Sequence, residues 1–521
     1  MFKCNQLLRR ICVVSYVFLL CGGLVNASNL VSKTNTLIGT QGNGWASGYL
    51  YPGATYPFGM VQFTPTYFTK QLGFVINQLS GAGCDHMGNF PTLPIAGALR
   101  VSPDSILNMQ TPVGKEIGTA GYYAATVDHS IRAELTVTER TGMARYTFSS
   151  KEKQGTVIIG GGVAATPIQV AAIKITGPHS CEGYAEGGAF CGIPTPYKVY
   201  FVAEFDADAE SFGTWKEERL HANHTFAEGS HSGVYFTFPL KEGNQAVQYK
   251  IGVSYVSVEN ARENLRVENP AWDFSAVRQA TQDKWNEYLG KIEVEGDNED
   301  RQMQFYTHLY RSLIHPNVCS DVNGEYMGAD SQVHKTARKF YTSFSNWDTY
   351  RTQTALIAML APEETSDIVM SHYLFAEQSG GGFPRWVLAN IETGVMQGDP
   401  TPILVANAYA FGARTYDPRT LLRTMRYGAE VPGANSQGVL TRPGLEQYLE
   451  KGYYDASILL EYTSSDFAIG RFALQACNDE PVCNWYTQRA MNWKNLFNKE
   501  TGWLQSRNED GSWKRYDADW R

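Results

Sequence analysis

"FSAVRQATQDKWNEYLGKI" (Phe274–Ile292) is the stretch where the chain changes period. Its apolar residues recur three and four apart, the spacing that lays one face of an α-helix against a core. Upstream, "AELTVTERTGMARYTFSS", "GTVIIGGGVA", "YKVYFVAEFDAD", "SGVYFTFPL" and "AVQYKIGVSYVSV" alternate or run in Val, Ile, Tyr, Phe and Thr, with Gly, Asn, Pro and Ser between them. Short punctuated strands with no helices among them predict an antiparallel β-sandwich over residues 28–271. Downstream, helical spacing returns in "RQMQFYTHLYRSLIHP", "WDTYRTQTALIAML", "TSDIVMSHYLFAEQ", "PILVANAYAFGA", "PRTLLRTMRYGA", "ASILLEYTSSDFAIGRFALQAC" and "NWYTQRAMNWKNLF". This predicts a linker helix within 272–300, then helix hairpins over 301–521 in the manner of an α/α barrel. The fold class is therefore multidomain β plus α.

At 521 residues the chain exceeds what one hydrophobic core holds. Charged residues are 18 %, the net charge is −8 and no basic run occurs, which argues against nucleic acid as a partner. Aromatic content of 13 % on a mildly acidic chain suits neutral, polar-faced ligands such as sugars. Residues 1–27 read as a signal peptide: Lys3, Arg9 and Arg10 precede the apolar run "ICVVSYVFLLCGGLV", and "VNA" offers a small-residue cleavage site. Leu20 argues against lipoprotein processing at Cys21. The expectation is a secreted or periplasmic protein with no membrane span in its mature part. Of the nine cysteines, Cys4, Cys12 and Cys21 fall in the leader, leaving Cys84, Cys181, Cys191, Cys319, Cys477 and Cys483. Cys181 with Cys191, and Cys477 with Cys483, are close enough in sequence to staple loops, and the connectivity stays open. No CxxC pair points to thiolate metal binding.

Four segments carry candidate chemistry. "NTLIGTQGNGWASGYLYPGATYPFGMVQFTP" (Asn35–Pro65) reads as a fixed, turn-rich loop. In "LSGAGCDHMGNFPTLPI" (Leu79–Ile95), Asp85 and His86 lie between glycines that allow close backbone approach, and serve either a ligand hydroxyl or the loop itself. In "FSNWDTYRTQTALIAML" (Phe344–Leu360), Ser345 or Asn346 is an N-cap and Asp348 falls in the first helical turn. There Arg351 pairs with Asp348 along one face, or Trp347, Asp348 and Arg351 grip a sugar. In "SGGGFPRWVLANIETGVMQGDPTPILVANAYAFG" (Ser379–Gly412), Trp386 follows a glycine run and Asp399 stands at a helix mouth as an N-cap. Glu461 and Asp466, five apart on one helix, do not share a face well; either one points inward or, the favoured expectation, each sits on a solvated face.

The ordered series "NTLIGT", "YPGATYPFGMVQFTP", "LSGAGCDHMGNFPTLPI", "FYTHLYRSLIHPNV", "SNWDTYRTQTALIAMLAP", "GFPRWVLANIETGVMQGDP" and "NAYAFGAR" resembles glycoside hydrolase family 92, the calcium-dependent exo-acting α-mannosidases. The resemblance implies an N-terminal β-sandwich, a connecting helix and an (α/α)6 barrel, with the site at their interface. It implies inverting removal of terminal α-linked mannose from glycans, by a general acid and a general base set about 6.5–9.5 Å apart. It also implies a Ca2+ cofactor that binds sugar hydroxyls, with ligands it does not assign here. By resemblance Trp347, Asp348 and Arg351 contribute to the mannose pocket, Asp85 and His86 reach it from the sandwich, and Trp386 and Asp399 follow more weakly. The family's Glu in a "GNEP"-like motif and Asp in a "GNDD"-like motif have no counterpart; "CNDEP" (Cys477–Pro481) is a superficial echo. Residues 301–521 are also short for twelve helices of about 11–12 residues with their connections. The expectation is that the barrel is incomplete in this chain and that the catalytic pair lies beyond Arg521. The alternative is a catalytically silent glycan-binding homologue. A hydrolase or phosphorylase of glucosides from another sandwich-plus-barrel family is a third reading, against which "PGATYPFGMVQ" and "NWDTYR" speak. Linkage preference and oligomeric state are not legible.

Overall fold

The computed structural model describes residues 29–40, 49–65, 73–104, 113–242 and 245–515. The predicted signal peptide lies outside the described residues, and among them no helix is long and apolar enough to cross a membrane.

Two antiparallel sheets of eight and nine strands make the N-terminal half. In the first, Gln154–Ile159 lies centrally between Thr92–Ala96 and Ser232–Pro239. In the second, the long hairpin Ser180–Phe190/Ile193–Phe205 pairs with Ala246–Ser254, which continues through Thr141–Thr147 into a meander. The sheets meet through interdigitated aromatic rings: Phe205 lies 5.0 Å from Phe236, and Phe90 lies 4.3 Å from Phe201. Alternating strands buried on one or both faces produce this sandwich, as expected from the period-two pattern.

Helices begin earlier than the sequence pattern implies, at Val258–Glu268 rather than after Trp272. The buried face of that helix is Asn260, Ala261, Asn264 and Leu265. Its two amides donate to the buried Asp321 carboxylate at 2.8 and 2.6 Å, so half of the inward positions are polar and show no apolar period. Phe274–Leu289 follows and buries Phe274, Thr281, Trp285, Tyr288 and Leu289, a stripe at helical spacing. Trp285 Nε1 donates to the Thr55 carbonyl at 2.7 Å, and Arg311 donates to the carbonyls of Thr36, Ile38 and Tyr51. These bonds tie the helical half to the segment that leads into the sandwich.

Eleven α-helices follow the sandwich among the described residues, and those from Pro362 onward pack around Leu404, Val405, Leu421, Met425, Ile469 and Phe472. Several begin at side-chain caps: Asp273, Asn298, Asp417, Asp455 and Asp479 each accept a backbone N–H of the first turn. Two expectations fail. "WDTYRTQTALIAML" is not one helix; it is a single turn, Asn346–Thr349, a break, and then Gln353–Leu360. Asp399 does not cap the next helix, which starts at Thr401 with Pro400 at its N-cap and no side-chain cap bond.

Candidate active site

A cavity of about 740 Å³ opens between the two halves. From the sandwich come the loop Leu79–Cys84 and the hairpin tip Phe190–Cys191; from the helical half come Arg311, His315, Ser345, Asp348, Gln353 and Trp386. The junction of two folded units is where ligand clefts concentrate.

Asp348 is the one carboxylate among the described lining residues, and it is exposed to the cavity. Ser345 Oγ donates to one of its oxygens, so the other remains a free acceptor. Gln353 Nε2 is taken by the carbonyls of Ser312 (2.9 Å) and His315 (3.1 Å), which turns its Oε1 into a second acceptor. Trp386, Val395 and Met396 line the same cavity with apolar surface. Trp386 is held by Glu392, whose buried carboxylate accepts the backbone N–H of Arg385 (2.6 Å), Trp386 (3.2 Å) and Gly394 (2.9 Å). Burial pushes the Glu392 carboxyl up, and those N–H groups pull back against it. One face of the Trp386 ring is covered by Phe190, stacked at 4.3 Å and 25°.

The sequence-derived residues separate. Trp347 Nε1 donates to Glu461 at 3.0 Å, and Arg351, half-exposed, stacks on Trp347 at 4.7 Å with its guanidinium 3.9 Å from Glu461. Arg351 therefore pairs with Glu461 and not with Asp348. His86 is fully buried: its Nε2 accepts the Leu79 N–H at 2.7 Å and its Nδ1–H donates to the Cys84 carbonyl at 2.6 Å, leaving no ring nitrogen for a ligand. Its neighbour Asp85 is half-buried, with its carboxyl raised by burial, and is not among the lining residues.

Asp399 is buried away from the cavity, accepting from Arg442 Nε at 2.8 Å. Arg442 also donates to Asp466 at 2.7 Å, and Asp466 accepts from Arg489 Nε and the Tyr448 hydroxyl, both at 2.7 Å. These two carboxylates and two guanidinia bond one another inside the helical half. Asp466 thus lies in the core and Glu461 separately accepts from Trp347, so neither sits on the solvated face that was the favoured expectation. Burial alone would raise Asp466; Arg442 and Arg489 outweigh it and hold its carboxyl low.

Two lining elements had no signal at short range in the sequence. Cys84 is joined to Cys191 across 107 residues, while Cys181, Cys319, Cys477 and Cys483 are free and buried, so neither neighbouring pair forms. His315 reaches from the helical half to accept the Ser80 N–H at 2.9 Å, with its Nδ1–H donated to Asn317 Oδ1 at 2.7 Å. Burial pushes both His86 and His315 down to about 4.

A Ca2+ ion takes six to eight oxygen ligands, usually with several carboxylates. Among the described residues one carboxylate lines the cavity, and no group of three or more His, Cys, Asp or Glu side chains converges as a metal site. These residues do not fit calcium by themselves.

The N-terminal domain model of glycosyl hydrolase family 92 matches residues 34–254, and the catalytic domain model of that family matches residues 260–521. An uncharacterized secreted glycosidase of Arthroderma benhamiae is 25 % identical over 564 residues, an alignment covering 93 % of this chain and 66 % of that relative. The inverting family GH92 mannosidase of Bacteroides thetaiotaomicron VPI-5482 superposes with a TM-score of 0.84 at 26 % identity, covering 94 % of this chain and 68 % of that one. A family GH92 α-mannosidase of Bacteroides thetaiotaomicron gives 0.84 at 24 % identity over 93 % and 68 % of the two chains, a likeness of fold. The chain thus spans about two thirds of the length of these relatives. With both domain models matched in order across nearly all of the described residues, the chain belongs to glycosyl hydrolase family 92.

Proposed function

We propose that this chain serves a glycoside hydrolase that removes terminal α-linked mannose from glycans, and that the cavity between its halves grips the terminal sugar. The observation that carries this reading is the placement of Asp348: an exposed carboxylate with one oxygen held by Ser345, facing a cavity built jointly by sandwich and helical half. Its free oxygen accepts one sugar hydroxyl, and Gln353 Oε1 accepts another. The apolar strip of Trp386, Val395 and Met396 meets the C–H face of the ring. Support from relatives comes through the mannosidases that the fold resembles, one of them the inverting enzyme at 26 % identity. The relative named as secreted supports the secreted or periplasmic location expected from the leader.

Asp348→Ala tests the reading by calorimetry with methyl α-mannoside. Loss of a charge-assisted hydrogen bond of about 1.5–3 kcal/mol predicts at least a tenfold weaker affinity. Equal affinity in the variant would refute it.

One observation favours a second reading for the chain by itself. Inversion requires two carboxyl groups, and the described cavity presents one. On that reading the 521-residue chain binds mannosides without turnover. Mannose release from an α-mannoside by this chain, abolished by a calcium chelator, would exclude the silent-binder reading and support the calcium expectation together.

A further inference from the structure

The strands Ser180–Phe190 and Ile193–Phe205 pair with Phe190 opposite Ile193, which leaves Cys191 and Gly192 as a two-residue turn. Both have positive φ, 52° and 79°, the signature of a type I′ turn whose twist matches that of its strands. The Cys191 side chain is therefore presented by a stiff arm. Beside that arm the Leu79–Cys84 loop lines the cavity; Leu79 and Ala82 are buried in the core, while Gly81 and Gly83 are exposed. Apart from their chain neighbours, no described heavy atom lies within 4 Å of where a Cβ would stand on Gly81 or Gly83.

The loop is fastened at its two ends. At its start, the N–H groups of Leu79 and Ser80 are accepted by His86 and His315. At its end stands the Cys84–Cys191 disulfide. The arm is itself fixed to the helical half by the Phe190–Trp386 stack. Loop, disulfide and Asp348 all line one cavity, with Asp348 on the helical side and the disulfide on the sandwich side.

We propose that the Cys84–Cys191 disulfide is a specificity-determining element of this cavity: it fixes the wall that meets the part of a glycan beyond the sugar gripped at Asp348. This rests on the mannoside reading above. A pre-organised wall costs less ordering when the second sugar docks than a loop free at one end. The bond therefore favours oligosaccharides over a lone monosaccharide. It lines an open cavity, so a small dithiol can reach it. Two electrons pass from the dithiol to the S–S bond, giving two protein thiols and the oxidised, disulfide form of the reagent.

The test measures the affinities of the 521-residue chain for methyl α-mannoside and for an α-linked mannobiose. It is run on the native protein, on the same protein after dithiol treatment, and on the double variant Cys84→Ser/Cys191→Ser. The ratio of disaccharide to monosaccharide affinity is expected to fall roughly fivefold or more on loss of the bond. Hydrogen exchange across Leu79–Cys84 is expected to speed up in parallel. If both affinities fall by one common factor, the disulfide is merely structural and the assignment is overturned; an unchanged ratio overturns it equally. Should the double variant not fold, the dithiol-treated native chain decides by the same ratio. Failure of the native chain to bind either sugar would overturn the mannoside reading and this assignment together, an outcome distinct from native binding with an unaltered ratio.

Discussion

His86 and His315 accept adjacent backbone N–H groups of one loop, Leu79 and Ser80, each through Nε2 while Nδ1–H is donated elsewhere. Both rings must then be neutral in the folded protein. Burial is the main cause, pushing each from an ordinary 6.5 down to about 4, and for His315 the nearby His86 and Arg311 add to it. The sign follows directly. Between pH 6.5 and 4 the unfolded chain holds a proton on each ring that the folded chain refuses, so stability is full above 6.5 and is lost as the pH falls toward 4. With about 2.5 between the two values and about 1.36 kcal/mol per unit, each ring accounts for about 3 kcal/mol of lost stability. Midway, near pH 5, each contributes a slope of about 1.2 kcal/mol per pH unit.

Urea denaturation at closely spaced pH values between 7 and 4.5 measures that slope. Other groups also titrate, and among the described residues four carboxyls oppose it: Asp85, Asp321, Glu392 and Asp399, raised by burial, take protons first in the folded state. The informative quantity is therefore a difference between proteins. His315→Gln and His86→Gln each keep an oxygen acceptor for the backbone N–H and remove the titrating ring. Whatever their baseline stability, each is expected to lower the slope by about 1.2 kcal/mol per pH unit near pH 5, and the pair by about twice that. If either variant retains the native slope, its ring is already charged or already solvated in the folded protein, and the neutral-acceptor account of the loop is refuted.

Two further expectations concern the helical half. Asp466→Ala strips the carboxylate partner from Arg489 and one of two carboxylate partners from Arg442 in a buried cluster, and is expected to cost about 3–5 kcal/mol in denaturant unfolding. Asp466→Asn, which keeps the size and an acceptor, should cost less. Glu392→Gln replaces one of the two accepting oxygens by an NH2 that faces at least one backbone N–H donor whichever way the amide is turned, and is expected to cost about 1–3 kcal/mol in the same assay, with a weaker mannoside affinity as Trp386 loses part of its anchor.

Much of the architecture is legible in the sequence because it is set by local periodicity. The strand pattern of "AVQYKIGVSYVSV" and the helical stripe of Phe274, Thr281, Trp285, Tyr288 and Leu289 each follow from which positions must be apolar. Capping is legible for the same reason, since Asp273 and Asn298 need only the turn that follows them. Val258–Glu268 escapes that logic because its inward amides satisfy Asp321, a partner more than fifty residues away. The disulfide escapes it too. Nearness in sequence favours Cys181 for Cys191, yet both belong to one antiparallel hairpin, with Cys181 opposite Ala203 and Cys191 at the far tip. The pairing of Cys191 with Cys84 is set by how one sheet stands against the other.

The opening turn of "NWDTYR" shows how adjacent members of one motif come to face different partners. Trp347 and Asp348 are adjacent, but a single helical turn sends adjacent side chains about 100° apart. One therefore meets Glu461 on the neighbouring helix and the other meets the cavity. Asn346 fixes the turn between them, its amide donating to the Pro384 carbonyl at 3.2 Å and to Thr401 Oγ1 at 2.8 Å. The break at Tyr350–Thr352 follows from these anchors: a straight helix from Asn346 to Leu360 would have to hold Asn346 and Trp347 to their partners with its own axis fixed by the core contacts of Ile357 and Ala358. Trp347 and Arg351 are clamped by Glu461, while Asp348 in the same turn is held by Ser345 and, on the proposed reading, is the residue that meets the sugar. Orientation of this kind is what a binding carboxylate requires, because an acceptor held in place by its neighbours loses little further freedom when a hydroxyl arrives.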